Sequence, residues 1–173
     1  MTSKEIKSDK LALSDLDLEN WCKENNFSFN VITLDKLSTL KKKASFIHTG
    51  RGKNAANGGN ENHWMFIYSD IVFDSYGKYS TYVWPKAGEN FVFVETHPKQ
   101  LQDFESTVCG EYCCLFYYYM EKVYEEGINS EYIGADFSEH FGFTRDRKEN
   151  DKFVFDWFHN DKKQTIDEKT ETN

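Results

Sequence analysis

Residues 100–120, QLQDFESTVCGEYCCLFYYYM, are the stretch that decides how this chain is expected to fold. A polar, turn-forming segment ends at Val108, and an apolar, aromatic helix is predicted to follow it. Cys109 therefore lies where a loop becomes a helix. The first N–H groups of a helix have no intrahelical partner and its dipole is positive there, so the pKa of a thiol falls from about 8.5 into the range of roughly 3.5–7.5. This position predicts that Cys109 is a nucleophile.

Length and composition predict a single domain over 1–173, with 1–13 and 160–173 as flexible tails, because 173 residues with 39% hydrophobic content suit one core. No signal-peptide pattern is present, so the four cysteines are expected to be free thiols inside a cell. No run approaches the ~20 apolar residues of a membrane span. A net charge of −8 disfavours nucleic acid as a partner, because neutralising phosphates requires clustered Lys and Arg.

The segments before residue 63 show weaker patterns. Ser14 is expected to cap a helix over 15–25 that buries Leu16, Leu18 and Trp21. The alternation in 27–33 predicts a short strand. A second short helix is expected over 34–43, and a Gly- and Asn-rich surface loop over 49–62, at the rim of a cleft.

The segments after residue 74 lie before and after Cys109 in the chain. An aromatic connection covers 75–89, and FVFVE at 91–95 predicts a buried strand. A central helix is expected over 110–125, with one buried stripe and with Gly127 ending it. A final amphipathic segment through 153–158 is expected to pack back on the core.

The clearest local signal is a hairpin formed by 63–68, HWMFIY, and 71–74, IVFD. If Ser69-Asp70 forms a two-residue turn, Tyr68 pairs with Ile71. His63 then lies diagonal to Asp74 on one face of the sheet. Diagonal Cα atoms are about 7–8 Å apart, within reach of a His–Asp hydrogen bond.

A cysteine hydrolase needs a thiolate, an imidazole, a group that orients the imidazole, and donors for the oxyanion. The chain offers Cys109, His63 and Asp74 for the first three roles. Gln102 lies seven residues before the cysteine, so its loop could bring the amide back over the thiol. The backbone N–H of Cys109 is the natural second donor, and Gln100 is the competing glutamine.

These residues resemble the adenovirus-type cysteine protease and, more loosely, the SUMO-deconjugating proteases of the same clan. The matching features are HW at 63–64, FDSYG at 73–77, and QxxxSxxCGxxCC at 102–114. The resemblance covers roughly 45–114. It implies an α+β fold of papain-like type in permuted order, with a central mixed sheet and a buried helix that carries the nucleophile at its N-terminus.

The resemblance also implies a function. The protein is expected to cleave viral capsid or other virion precursors after small residues, often Gly, within the virion or the host-cell interior. Similar proteins occur in adenoviruses, virophages and Maverick/Polinton elements. Trp64, Ser106 and Gly110 are expected to contact substrate, and no metal or cofactor is expected. The acidic charge argues against a DNA cofactor, and an activating peptide stays open because no cysteine matches the peptide-linking one.

Alternative interpretations accompany these predictions. The other three cysteines, Cys22, Cys113 and Cys114, are expected in the core, and a zinc site built with His97 or His140 lacks the usual second ligand pair. Histidines outside the predicted site are expected at the surface. The protein could instead be an isopeptidase acting on ubiquitin-like modifiers, whose ends are also Gly-Gly, or an inactive structural virion component.

Overall fold

The computed structural model describes residues 12–33, 44–48, 63–77 and 91–160. The predicted helix over 34–43, the loop over 49–62, most of the connection over 75–89 and nearly all of both tails lie outside these residues. Within them, the helices and strands in chain order are α1 (Asp15–Glu24), β1 (Val31–Thr33), β2 (Ala44–His48), β3 (Trp64–Tyr68), β4 (Ile71–Phe73), β5 (Val92–Phe93), α2 (Cys109–Tyr118), a π-helical turn (Tyr119–Val123), a 3₁₀ turn (Ser130–Tyr132), α3 (Ile133–Phe141) and α4 (Arg147–His159).

The fold is α+β, built on a mixed five-stranded sheet in the order β1-β2-β3-β4-β5. The two outer pairs, β1–β2 and β4–β5, are parallel, whereas the inner pairs are antiparallel. All residues of β2 and β3 are buried, since both faces of these strands are covered. Phe46 and Phe66 face the helices, while Ile47 and Met65 belong to a separate apolar cluster.

The predicted hairpin is confirmed. Tyr68 pairs with Ile71 across Ser69-Asp70, and Phe66 pairs with Phe73. His63 thus immediately precedes β3 and Asp74 immediately follows β4, at the open end of the hairpin.

Helix α1 is confirmed, with one error in the face that it buries. Ser14 accepts a hydrogen bond from the Asp17 N–H and forms a capping box with that residue. Leu18 and Trp21 are buried as expected, but Leu16 is 62% exposed. At about 100° per residue, Leu16 lies roughly 200° around the helix from Leu18 and so points away from the core.

Helix α2 is buried on every side rather than along one stripe, because all residues of Cys109–Tyr118 are buried. Its α-helical hydrogen bonding also stops at Tyr118, where the π-helical turn Tyr119–Val123 follows, so the helical segment ends before Gly127. Phe116 stacks on Phe73 with ring centroids 4.6 Å apart. This stack joins α2 to the strand that leads into Asp74.

Two strands differ from expectation. Ala44–His48 carries no strong strand signal because Ser45 and His48 interrupt its apolar pattern. It is nevertheless an inner strand of the sheet, between β1 and β3. The Ser45 hydroxyl accepts a hydrogen bond from the Asn30 amide at 2.6 Å, so this buried polar group has a partner. Only Val92–Phe93 of the expected strand over 91–95 pairs with β4, and Val92 is 39% exposed at this sheet edge.

The C-terminal helices complete the core. Phe137 of α3 packs edge-on against Phe73 and Phe116. Trp157 of α4 is fully buried, which confirms that the final segment packs back on the core. None of the helices in the described ranges has the length and apolar character that crossing a membrane requires.

The corrected face of α1 can be tested with two leucines of the same helix. We expect Leu18→Ala to lower the free energy of unfolding by about 2–5 kcal/mol, because it leaves a cavity in the core. Leu16→Ala should change it by no more than about 0.5 kcal/mol, since Leu16 is exposed. Urea unfolding of both variants measures the difference, and equal losses would contradict the described packing.

Candidate active site

The first element of the site is a buried histidine–carboxylate pair. The Nε2 atom of His63 lies 2.9 Å from Oδ1 of Asp74, and both side chains are almost completely buried. The two residues meet because the hairpin register brings the residue before β3 opposite the residue after β4. The bond to Asp74 occupies Nε2, so Nδ1 is the ring nitrogen left for proton exchange with another group.

The second element is the thiol of Cys109. Cys109 is the first residue of α2, at the positive end of the helix dipole, and Val108 at the N-cap provides no side-chain hydrogen bond to the first turn. The backbone N–H of Trp64 donates to Sγ at 3.3 Å. That contact ties the start of β3 to the start of α2, and His63 is the residue next to it.

The third observation concerns the charge of the imidazole. Burial lowers the pKa of His63, but the Asp74 carboxylate and a side-chain hydrogen bond to Cys109 outweigh burial and raise the pKa to about 10. A protonated ring is thus favoured between a carboxylate and a sulfur that can carry negative charge. The charge of His63 is therefore set by two groups, the carboxylate of Asp74 and the side chain of Cys109.

The remaining thiols have a different environment. Burial raises the pKa of Cys22 to about 12, and burial raises the pKa of Cys113 well above its usual value. Both stay protonated at neutral pH and are poor nucleophiles. Cys114 is also fully buried, so the expectation that these three cysteines lie in the core is confirmed.

Sequence reasoning quoted Tyr76 only as part of a motif, yet the structure places it at the centre of the site. Its N–H donates to the same Asp74 oxygen that His63 contacts, at 2.9 Å. Its ring stacks on the imidazole with centroids 4.6 Å apart and an interplanar angle of 20°. Tyr76 therefore holds both the carboxylate and the ring, and its position two residues after Asp74 in FDSYG was the available signal.

Gln102 lies in the same network through Tyr76. Its Nε2 is 3.0 Å from Ser106 Oγ and 3.4 Å from the Tyr76 hydroxyl, while its Oε1 accepts from Ser75 Oγ at 2.5 Å. The contact with Tyr76 is longer than usual for N–H···O, so that N–H is the one a substrate oxygen could recruit. The competing Gln100 instead donates to the Gln102 carbonyl at 2.8 Å.

The three residues expected to contact substrate are buried here. Trp64 is 1% exposed, and its indole N–H donates to the Leu13 carbonyl at 2.8 Å. A Cβ on Gly110 would lie 3.1 Å from the Leu13 side chain, so this glycine leaves room for Leu13 beside the thiol. Ser106 bonds with Gln102. Substrate contact by these residues stays a prediction.

The other histidines are only partly at the surface. His97 and His140 are exposed, as expected, but His48 is 7% exposed and its ring meets Trp64 edge-on at 4.7 Å. His159 is half-buried, with Nε2 lying 3.0 Å from Glu111 Oε2. Within the described ranges, no cluster of three or more His, Cys, Asp or Glu side chains could hold a metal ion.

The electrostatics of His63 can be tested by removing one charge. Asp74→Asn should lower the pKa of His63 by roughly 1–3, because Asp74 is the largest cause that raises it. Titration of the ring nitrogens by NMR measures this shift, with Asp70→Asn in the exposed turn as control.

The same coupling predicts a pH dependence of stability. Because folding raises the pKa of His63 from 6.5 to about 10, its contribution is complete below about pH 6.5 and is lost as pH rises through about 10. Urea unfolding should show a smaller loss over this window in Asp74→Asn. An identical loss in both proteins would contradict the coupling.

Comparison with protein-family models, curated proteins and solved structures gives no significant match for this chain. The candidate site therefore stands on its own residues: a buried imidazole that bonds a carboxylate and whose pKa is raised by Asp74 and by Cys109 at the start of α2.

Proposed function

We propose that this protein is a cysteine-type endopeptidase. The observation that carries the proposal is the position of His63 between Asp74, at 2.9 Å, and Cys109 at the first residue of a buried helix. The proposed fold class is papain-like in permuted order, with the residues in the chain order His, Asp, Cys. The mixed sheet and the buried α2 helix support that assignment.

In the proposed mechanism, the Cys109 thiolate attacks the carbonyl carbon of the scissile amide, and a C–S bond forms while the carbonyl oxygen becomes negative. His63 donates its proton to the amide nitrogen, the C–N bond breaks, and the amine leaves. The neutral imidazole then takes a proton from water, whose oxygen attacks the thioester. Cleavage of the C–S bond releases the acid and restores the thiolate. Asp74 keeps the ring in the required orientation throughout.

The negative oxygen needs donors that are already in place. The backbone N–H of Cys109 is one, because the first N–H groups of a helix have no intrahelical acceptor. The amide of Gln102 is the proposed second donor, supported by its burial and by its link to His63 through Tyr76.

For substrates, we propose viral capsid or other virion precursors cut next to small residues such as Gly, within a virion or a host cell. This part rests on the resemblance of the HW, FDSYG and QxxxSxxCGxxCC motifs to the adenovirus-type protease. Nucleic acid is not proposed as a partner because the net charge is −8.

The same chemistry would cleave an isopeptide bond, so the substrate test has two arms. Purified protein is incubated with candidate virion precursors and with SUMO- and ubiquitin-derived fluorogenic substrates, and new N-termini are identified by mass spectrometry. New N-termini in the precursors support the endopeptidase. Turnover of the modifier substrates alone would replace it with the isopeptidase.

We expect Cys109→Ala and Cys109→Ser to abolish hydrolysis of a fluorogenic peptide amide ending in Gly-Gly, because the attacking atom is removed. Thermal denaturation should show that both variants stay folded. Cys22→Ala is the matched control, since that thiol has a pKa raised to about 12. Hydrolysis that survives the Cys109 changes would refute the nucleophile assignment.

We expect Gln102→Ala to lower kcat by roughly 10²–10³, as the loss of one oxyanion donor does. Gln100→Ala is the control on the same loop and should leave kcat within about twofold, because its amide bonds the loop backbone. If the two variants exchange these effects, Gln100 is the donor; if neither changes kcat, the oxyanion is held by backbone alone.

A further inference from the structure

A buried carboxylate outside the proposed triad lies behind the Gln102 loop. Asp151 of α4 is 3% exposed and bonds to no lysine or arginine of the described residues. It accepts from the Tyr112 hydroxyl at 2.8 Å and from the Asp103 N–H at 3.3 Å. A buried carboxylate is costly unless donors surround it, and two donors from different parts of the chain converge on this one.

These two donors also hold the loop backbone on both sides of Gln102. The Asp103 N–H follows Gln102 directly, and the Tyr112 hydroxyl lies 3.2 Å from the carbonyl of Leu101, the residue before Gln102. The Gln102 amide donates from Nε2 to the hydroxyl and the carbonyl oxygen of Ser106, at 3.0 and 3.2 Å, and Ser75 donates to its Oε1 at 2.5 Å.

This polarity determines which end of the Gln102 amide is the donor. A flipped amide would place its oxygen against the Ser106 oxygens, and its nitrogen against the Ser75 hydroxyl. In that orientation a carbonyl oxygen would replace the N–H near Tyr76, and it would repel a developing oxyanion. The Ser106 carbonyl disfavours the flip because it can only accept, and it stays beside Nε2 as long as the loop keeps its position.

We propose that Asp151 is a positioning residue that, through the loop backbone on both sides of Gln102, holds the Gln102 amide with its N–H toward the reacting carbonyl. The proposal rests on the proposed function, because it deepens the role of the same oxyanion donor. It joins α4 to the active site, although 42 residues separate Asp151 from Cys109 in the chain.

Two further observations support this role. The adjacent residue Asn150 is also buried, and its amide donates to the Leu101 carbonyl at 3.2 Å, so α4 holds the loop backbone beside Gln102. Burial raises the pKa of Asp151 to about 7, while bonds from Tyr112, Ser106 and the Asp103 N–H oppose that rise. These hydrogen bonds favour the charged form of Asp151, which is the stronger acceptor for the loop N–H.

A double-mutant cycle tests the proposal. Assays at about pH 8, above the Asp151 pKa of about 7, keep the carboxylate ionised. Asp151→Asn should lower kcat for the Gly-Gly peptide roughly 10- to 100-fold, as the loss of a hydrogen bond to a charged group does, with little change in KM. In a Gln102→Ala background it should have no further effect on kcat, because the residue through which it acts is gone. Additive losses would overturn the proposal.

Asp156→Asn on the same helix is the matched control, since Asp156 pairs with Lys152 at the surface and should leave kcat unchanged in both backgrounds. Thermal denaturation checks that each variant is folded. If Asp151→Asn does not fold, Tyr112→Phe replaces it in the cycle, since it removes the hydroxyl that contacts both Asp151 and the Leu101 carbonyl. Its effect should also vanish in Gln102→Ala.

A second readout separates this proposal from the proposed function. The side-chain NH₂ resonances of Gln102 should shift in Asp151→Asn and not in Asp156→Asn, whether or not the protein cleaves the peptide. If the wild-type protein has no activity but these resonances shift, the peptidase proposal fails and the coupling stands. If they do not shift, the positioning role is overturned.

Discussion

The 2.9 Å contact between His63 and Asp74 depends on the register of one short hairpin. A slip of one residue would turn one of the two side chains to the opposite face of the sheet. The two-residue connection at Ser69-Asp70 prevents that slip, because it pairs Tyr68 with Ile71 and leaves no slack. The turn at one end of the hairpin therefore determines whether His63 and Asp74 form their hydrogen bond at the other end.

Aromatic packing then connects the hairpin to the thiol. Phe73, the residue before Asp74, stacks on Phe116 of α2 at 4.6 Å. The Trp64 N–H contacts Cys109 at 3.3 Å, so the hairpin is held to α2 near both of its strands. Side chains in a close-packed core have little freedom to shift. The distance between the His63 ring and the Cys109 sulfur therefore has little freedom to change.

Electrostatics in the site follow from burial combined with specific partners. At His63 the Asp74 carboxylate outweighs burial and raises the pKa, so the charged ring is favoured. At Asp151 burial outweighs the hydrogen bonds that favour the charged carboxylate, and the pKa is raised to about 7. At Cys113, one turn beyond Cys109, burial is the largest cause that raises the pKa of the thiol.

Local patterns in the sequence predicted the capped helix α1, the hairpin with its register, a helix that begins near Cys109, and the His63–Asp74 pair at the open end of the hairpin. These features depend on neighbours a few residues apart, on capping, turn length and alternation. Strand β2 escaped prediction because the groups that accompany its buried polar residues, Asn30 for Ser45 and Trp64 for His48, come from other segments of the chain. Likewise, nothing in the polar stretch around Asp151 indicates burial, because its donors come from α2 and the Gln102 loop. Tertiary structure decided those contacts, since residues distant in the chain become neighbours only when the helices close over the sheet.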